Sequence, residues 1–459
     1  MVDVERMIGE VARRTDRYAG EVVRGEAGLE YPLSSAQRVA AHLGLSQAIT
    51  VAEIEQPWDP DRFARVWRGI LDDHPILRST IDHTAGMICE RHQGEWGSAG
   101  IVHLDLSGLD QWAARRAIDQ LKAAILAGDA HAETPVLAHR LVTVARPGGG
   151  FSVLVATDRL VFDARSQAVL ERRLVNGYAL GGPGVPARRP YSDYVRFAAM
   201  GPRDISDEAV VRELDLERFA QVAATYAASR PAAPPPPVDL ECDLEPGASA
   251  DDVDRLVADA LSQVTPTMPV FAAVAGRRYT GGDFSDYLGL FADLVPLVVD
   301  SPDPTAGAAP QAGTPAPPAP ASRAQAANPT PASPAQAAHP PAPAGLGHEV
   351  RRRAAFLARY NLTVTSLLAD PLIAGRFPIA AGFIAQAAAA MVPVLNVPGM
   401  LGGFAGRPVA VGSVGPVREI LPVIDVQIAR GALTVRALPA QTPAQTPTPT
   451  PTPAPTPYR

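Results

Sequence analysis

Cysteine is almost missing from this chain of 459 residues: Cys89 and Cys242 are the only two. They stand far apart without C-x-x-C spacing, which argues against a disulfide framework and a thiolate zinc site, and both read as small buried apolar residues. Lysine is scarcer, since Lys122 is the only one and arginine carries nearly all the positive charge. Against 41 basic residues stand 48 acidic ones, for a net charge of -7, and no basic block runs along the chain. Nucleic acid is therefore not an expected partner. The nine histidines (His42, His74, His83, His92, His103, His131, His139, His339 and His348) form no H-E-x-x-H or H-x-x-x-H pattern and no cluster with cysteine, so no metal is expected. The opening MVDVERMIGEVARR is charged throughout and lacks the apolar core of a signal peptide, which predicts a cytoplasmic protein.

Long apolar runs are also absent, with one exception. Between Arg376 and Arg407 lies FPIAAGFIAQAAAAMVPVLNVPGMLGGF, uncharged and long enough to cross a bilayer. Pro378, Pro393 and Pro398 interrupt it, it is rich in Ala and Gly rather than Leu, and no aromatic belt flanks it. It reads as a buried strand and turn, and no membrane contact is expected. The strings GGPG near Gly181 and LGGFAG near Gly402 do not join a strand to a helix as a nucleotide fold requires, and read as loops.

What is present is length for two or three domains and an alternation of helical and strand-like periods. Residues 1–28 have apolar positions at helical spacing, such as Val4, Met7, Ile8 and Val11, and read as an amphipathic N-terminal helix. In 29–200, DPDRFARVWRGILDDHP is helical, with Phe63, Val66, Trp67, Ile70 and Leu71 on one stripe and Asp59 or Asp61 as its cap. LRSTID, GIVHLDL, PVLAHRLVTVA and GFSVLVATD are strand-like, and QWAARRAIDQLKAAILAG and SQAVLERRLVNGYAL are helical. Residues 201–237 read as a charged helix and a stiff Pro-rich connector ending in RPAAPPPPV, and a second α/β unit spans 238–440. Within it, 302–343 collapses to Ala, Pro, Gln, Ser and Thr and reads as a disordered insertion, as does the Thr/Pro tail at 441–459. Either Pro-rich arm reads as a spacer or as a ligand for a proline-binding surface.

Several short motifs, taken in order, resemble the condensation-domain superfamily of non-ribosomal peptide synthetases. YPLSSAQ (Tyr31 to Gln37) is similar to the opening motif of these domains, and DDHPILRST (Asp72 to Thr80) to R-H-E-x-L-R-T. FSVLVATDRLVFDARS resembles the strand that leads into H-H-x-x-x-D-G, and RPYSDYVRFA resembles the Q-Y-x-D-Y run after it. In the second half, VAGRRYTGGDFSDYLGLFADLVPLVVD resembles A-G-R followed by I-G-x-F-x-N-x-L-P-L-R-V. The resemblance runs from about Leu29 to Ala440. It implies an α/β fold of two chloramphenicol-acetyltransferase-like lobes in a V-shaped pseudo-dimer, with a central channel where carrier-bound thioesters meet. It also implies a phosphopantetheine arm as visitor, no cofactor held by the chain itself, and a carrier protein or synthetase module as partner.

The departures from the motif concern the chemistry. The position of the family's second histidine, which assists attack on the thioester, is Arg159, and that of the first is Asp158. A guanidinium stays protonated at neutral pH and cannot act as a general base, although it can stabilise an oxyanion. Asp158, its neighbour on an extended strand, points to the opposite face. Asp163 matches the family's structural Asp, whose partner is the Arg of L-P-L-R-V; here that place is Val298, so Arg159 or Arg165 is expected to pair with it instead. Ala164 replaces the family's Gly, adding a methyl beside the expected channel, and Arg165 and Ser166 follow. Three functions stay open: a non-catalytic condensation-like protein that binds a carrier or recruits a tailoring enzyme such as an oxygenase; an atypical acyltransferase using Arg159; and an interaction protein acting through its Pro-rich arms.

Overall fold

The computed structural model describes residues 6–11, 13–14, 27–42, 47–82, 85–91, 101–127, 136–158, 160–182, 191–229, 238–243, 267–275, 278–279, 282–284, 286–300, 346–396, 423–429 and 432–438. Arg159 and the Pro-rich stretches at 302–343 and 441–459 lie outside them. The described architecture is mixed α/β.

In the first half, β1 (Ala27–Pro32), β3 (Ser79–Asp82), β4 (Met87–Arg91) and β6 (Val136–Leu137) form one sheet in the order β1-β4-β3-β6. A second sheet has the order β2-β8-β7-β5, built from β2 (Gln47–Ile54), β5 (Val102–Asp105), β7 (His139–Ala145) and β8 (Phe151–Asp158). The strand β8, FSVLVATD, is buried at every position because both of its faces are covered. Phe151, Val153 and Val155 enter one core, while Leu154 and Ala156 enter another with Ile8, Val11 and the inner face of a helix at Gln111–Ala127. This explains why β8 reads as a continuous apolar run rather than an alternating one. Helix Pro60–Asp73 buries Phe63, Val66, Trp67, Ile70 and Leu71, the stripe read from the sequence, and its cap is Asp59, whose carboxylate accepts from Arg62 N at 3.0 Å.

The second half is built on a six-stranded sheet in the order β13-β10-β14-β15-β16-β9, with β9 at Val238–Asp243, β10 at Thr267–Ala275, β13 at Ala292–Asp300, β14 at Val394–Asn396, β15 at Val423–Ala429 and β16 at Ala432–Leu438, while β11 (Arg278–Tyr279) and β12 (Gly282–Asp283) form a separate pair. Pro296 is tolerated within β13 because that strand lies at the sheet edge. The helices Asp207–Glu213 and Leu216–Ser229, in the stretch read as a connector, contribute Val210, Leu214, Leu216, Phe219 and Ala223 to the core of this half. Conversely, Phe284, Tyr287, Leu288, Leu290 and Phe291 of the second half complete the first core.

The uncharged run after Arg376 corrects the expectation of a strand and turn. Its first part is a helix, Pro378–Ala389, followed by the short β14. Alanine favours helix, and Pro378 sits in the first turn, where a missing N–H is harmless. The free N–H groups of Ile379 and Ala380 donate to Asp207 at 2.7 and 3.0 Å, so the cap comes from another helix. No described helix is long and apolar enough to cross a membrane.

Asp293 plays the same part for the helix Val364–Ala369, accepting from Val364 N at 3.2 Å and Thr365 N at 3.1 Å. It is buried on β13, and burial lifts its carboxyl to about 6 against these amide contacts. A carboxyl raised in the folded state binds its proton more tightly there than in the unfolded chain, so its contribution to stability is present at low pH and lost as pH rises through 4 to 6. Replacing Asp293→Asn removes that loss: urea unfolding across pH 4 to 7 should show the variant gaining roughly 2–3 kcal/mol relative to the parent as pH rises.

Candidate active-site motif

The stretch Thr157 to Ser166 runs from the last turn of β8 through a tight loop into the helix Ala164–Leu180. Asp158 ends the strand and is buried; its Oδ1 accepts from Leu160 N at 2.7 Å, and its carbonyl accepts from Val161 N at 3.1 Å. The carboxylate therefore closes its own turn, an Asx arrangement common where a chain reverses. Leu160, Val161 and Phe162 follow, all buried in the first core. Arg159 lies outside the described residues, and of Ala164 only the backbone, the first residue of the helix, is described.

Asp163 is the cap of that helix, in extended conformation, with Oδ1 accepting from Ser166 N at 2.7 Å. Its Oδ2 accepts from Phe291 N of the second half at 3.0 Å, and its own N–H donates to Gly289 O at 3.3 Å. Ser166 Oγ donates to Gly289 O at 2.7 Å and accepts from Gly289 N at 3.0 Å. Tyr191, from the helix Tyr191–Ala199, donates its hydroxyl to Leu290 O at 2.8 Å. Three consecutive residues, Gly289 to Phe291, are thus stitched to the motif through their main chain. Gly289 permits the approach: a Cβ there would lie 2.2 Å from Tyr191 Cδ2. Tyr191 is fully buried, and burial holds its phenol far above the usual value, fixing it as a donor.

The opening motif closes the other side. Gln37 Nε2 donates to Leu160 O at 2.6 Å, and Gln37 Oε1 accepts from Ser34 N at 2.8 Å. Next to it, Arg38 bonds Asp370 of the second half at 3.2 Å. Val298, where the resemblance expects the arginine partner of Asp163, packs against the second core. The amides of Ser166 and Phe291 stabilise the buried carboxylate of Asp163 through hydrogen bonds, helped by the positive end of the helix. Arg165 occupies the first turn of the same helix, half-buried.

Of the histidines, His139 is buried on β7, with Nδ1 2.5 Å from Leu77 O and the edge of Trp67 5.2 Å away. Burial lowers its imidazole to about 4, leaving it neutral with Nδ1 as the donor. It belongs to the core. His74 is also buried, between the helix Pro60–Asp73 and the turn that follows. The sequence motifs located Asp158, Asp163 and Ser166 together, but the roles of Gln37, Tyr191 and Gly289 to Phe291 were not read. Their only signal was membership of the ordered motif series.

No family model matches this chain, and no curated protein does. Solved structures do. The crystal structure of holo T3CT aligns over 96% of this chain and 91% of its own at 12% identity, with a TM-score of 0.51. The tallysomycin biosynthesis protein TlmII aligns over 90% of this chain and 95% of its own, at 15% identity and the same TM-score of 0.51. SeMet-CT, also at 0.51, aligns over 90% of this chain and 86% of its own at 13% identity. The chain shares the overall fold of these three structures.

The clamp predicts a graded series in urea unfolding. Asp163→Ala leaves two buried amides unsatisfied and removes a helix cap, a loss of about 3 kcal/mol, whereas Asp163→Asn keeps one acceptor and loses about 1–2 kcal/mol. Gly289→Ala should cost at least as much as Asp163→Ala, because the added methyl meets a buried ring rather than a flexible side chain.

Proposed function

We propose that this chain is a condensation-like protein of non-ribosomal peptide or related secondary-metabolite biosynthesis that has given up the usual base and works by binding a carrier protein or synthetase module, or by recruiting a tailoring enzyme. The observation that carries this reading is the state of the motif's two carboxylates. Asp158 and Asp163 direct their oxygens at main-chain amides of the turn, the helix and the second half. A group engaged in this way is an anchor, and general-base work needs an acceptor aimed at the substrate's proton. No histidine stands anywhere in Thr157 to Ser166 to take it instead.

A second reading keeps catalysis. In an atypical acyltransferase, Arg159 would stabilise the oxyanion of a carrier-bound thioester while the acceptor amine arrives already deprotonated. The reading requires the two-lobed shape with a central channel and passage of a phosphopantetheine arm past Ala164. The general likeness to TlmII, a biosynthesis protein, supports the setting of either reading rather than one of them. In the first reading Arg159 is scaffold and pairs with Asp163 alongside its amides; in the second it is free to meet the thioester. A cycle of Arg159→Ala, Asp163→Ala and the double variant separates them, since a coupling of about 1 kcal/mol or more places Arg159 in the clamp and additivity releases it.

The direct test is capture of carrier proteins by the tagged chain, compared in their pantetheinylated and bare forms. Equal capture of both forms, or capture of an oxygenase or synthetase module regardless of pantetheine, is the expected result. A strong preference for the pantetheinylated carrier, together with acyl transfer that Arg159→Ala abolishes, would replace the first reading with the second.

A further inference from the structure

The helix Gln111–Ala127 buries one face completely: Ala114, Ala117, Ile118, Leu121 and Ile125 enter the third core. Its opposite face carries Trp112, Arg115, Arg116, Asp119, Gln120 and Ala123, spaced so that they form one outward stripe lining a shallow groove. Trp112 is 70% exposed, whereas Trp67 is 3% exposed. The Arg116 guanidinium sits 5.6 Å from the Trp112 ring centre, holding the indole against the helix with its other face open. Asp119 is engaged by Lys122 at 3.1 Å, which leaves the donors of Arg115, Arg116 and Gln120 as the polar character of the groove. An open indole beside guanidinium and amide donors matches what a polyproline segment presents, namely flat pyrrolidine rings and main-chain carbonyls without partners.

The chain supplies such a segment itself. Residues 439–457 carry no charge, and from Thr446 to Pro457 every second residue is proline. With three residues per turn in the polyproline form, alternate prolines put a ring on every face, so the segment can slide through equivalent registers. Beginning after Leu438 at the end of β16, it reaches about 59 Å when extended, more than twice the radius of gyration of about 23 Å expected for a compact chain of this length. Tethering places it at a local concentration on the order of millimolar, so a contact too weak to matter between separate molecules is populated within one.

We propose that the Thr/Pro segment 441–457 docks on the Trp112 face of the helix Gln111–Ala127, with the indole stacking on prolines and Arg115, Arg116 and Gln120 donating to carbonyls. This inference does not depend on the condensation-like reading. The test uses the full chain labelled with 5-fluorotryptophan, its counterpart ending at Ala440, and a synthetic peptide of residues 441–457, with Trp112→Phe assigning the resonance. Expected is a shift of the Trp112 fluorine signal on truncation that the peptide reverses at millimolar concentration. Arg116→Gln should weaken the peptide at least threefold, and a peptide with every proline changed to alanine should have no effect. A Trp112 signal unmoved by both truncation and peptide overturns the proposal, as does a peptide response confined to other tryptophans. A shift in the truncated chain that grows with protein concentration assigns the face to a second copy of the chain instead.

Discussion

The carboxylate of Asp163 ties the fold together. One oxygen holds the Ser166 amide in the first turn of the helix that follows β8, and the other holds Phe291 N from the far half of the sequence. Two buried amides would otherwise be left open, each a cost of roughly 1–3 kcal/mol, so the contact is worth far more than an exposed ion pair. Around it, Ser166 and Tyr191 take up the main chain of Gly289 and Leu290, and Gln37 fixes the loop between Asp158 and Asp163. The first core is completed by rings from the second half, so the first half has no finished interior without this junction.

The same device recurs in the second half, where carboxylates meet helix amides, two of them from far away in sequence. Asp207 caps the helix after Phe377, Asp293 caps the helix after Thr363, and Asp370 caps the helix that begins at Pro371 while also meeting Arg38 from the first half. Arginine works in the complementary direction: the buried guanidinium of Arg353 donates to the carbonyls of Leu214 and Pro296 and to Glu349. Glu349, whose carboxyl is held down at about 2 by Arg352 and Arg353, is the clearest ion-paired acid of the group. Hydrogen bonds from charged groups to main chain do what a larger number of ion pairs would otherwise do, and they carry direction as well as energy.

Strand and helix positions in the first half were legible because their periods are clean. Phe63, Val66, Trp67, Ile70 and Leu71 fall at helical spacing, and β8 could be placed from its unbroken apolar run. The run after Arg376 was misread because three prolines look like breaks, although Pro378 occupies the one helical turn that tolerates it and the cap lies 171 residues earlier in Asp207. That position 159 holds a guanidinium rather than an imidazole could be read from residue type alone. What satisfies Asp163 could not, since a backbone amide leaves no trace in the identity of Phe291.

The amide contacts of Asp163 bear on what holds the junction together. In TDRLVFDARS the acid at 163 joins the halves through main-chain amides, which do not depend on the side chain at 159. These contacts hold strand, helix and second half together whatever side chain stands at 159. The fold persists at 12–15% identity to its solved likenesses because so much of its junction is written in main-chain hydrogen bonds, which many sequences can make.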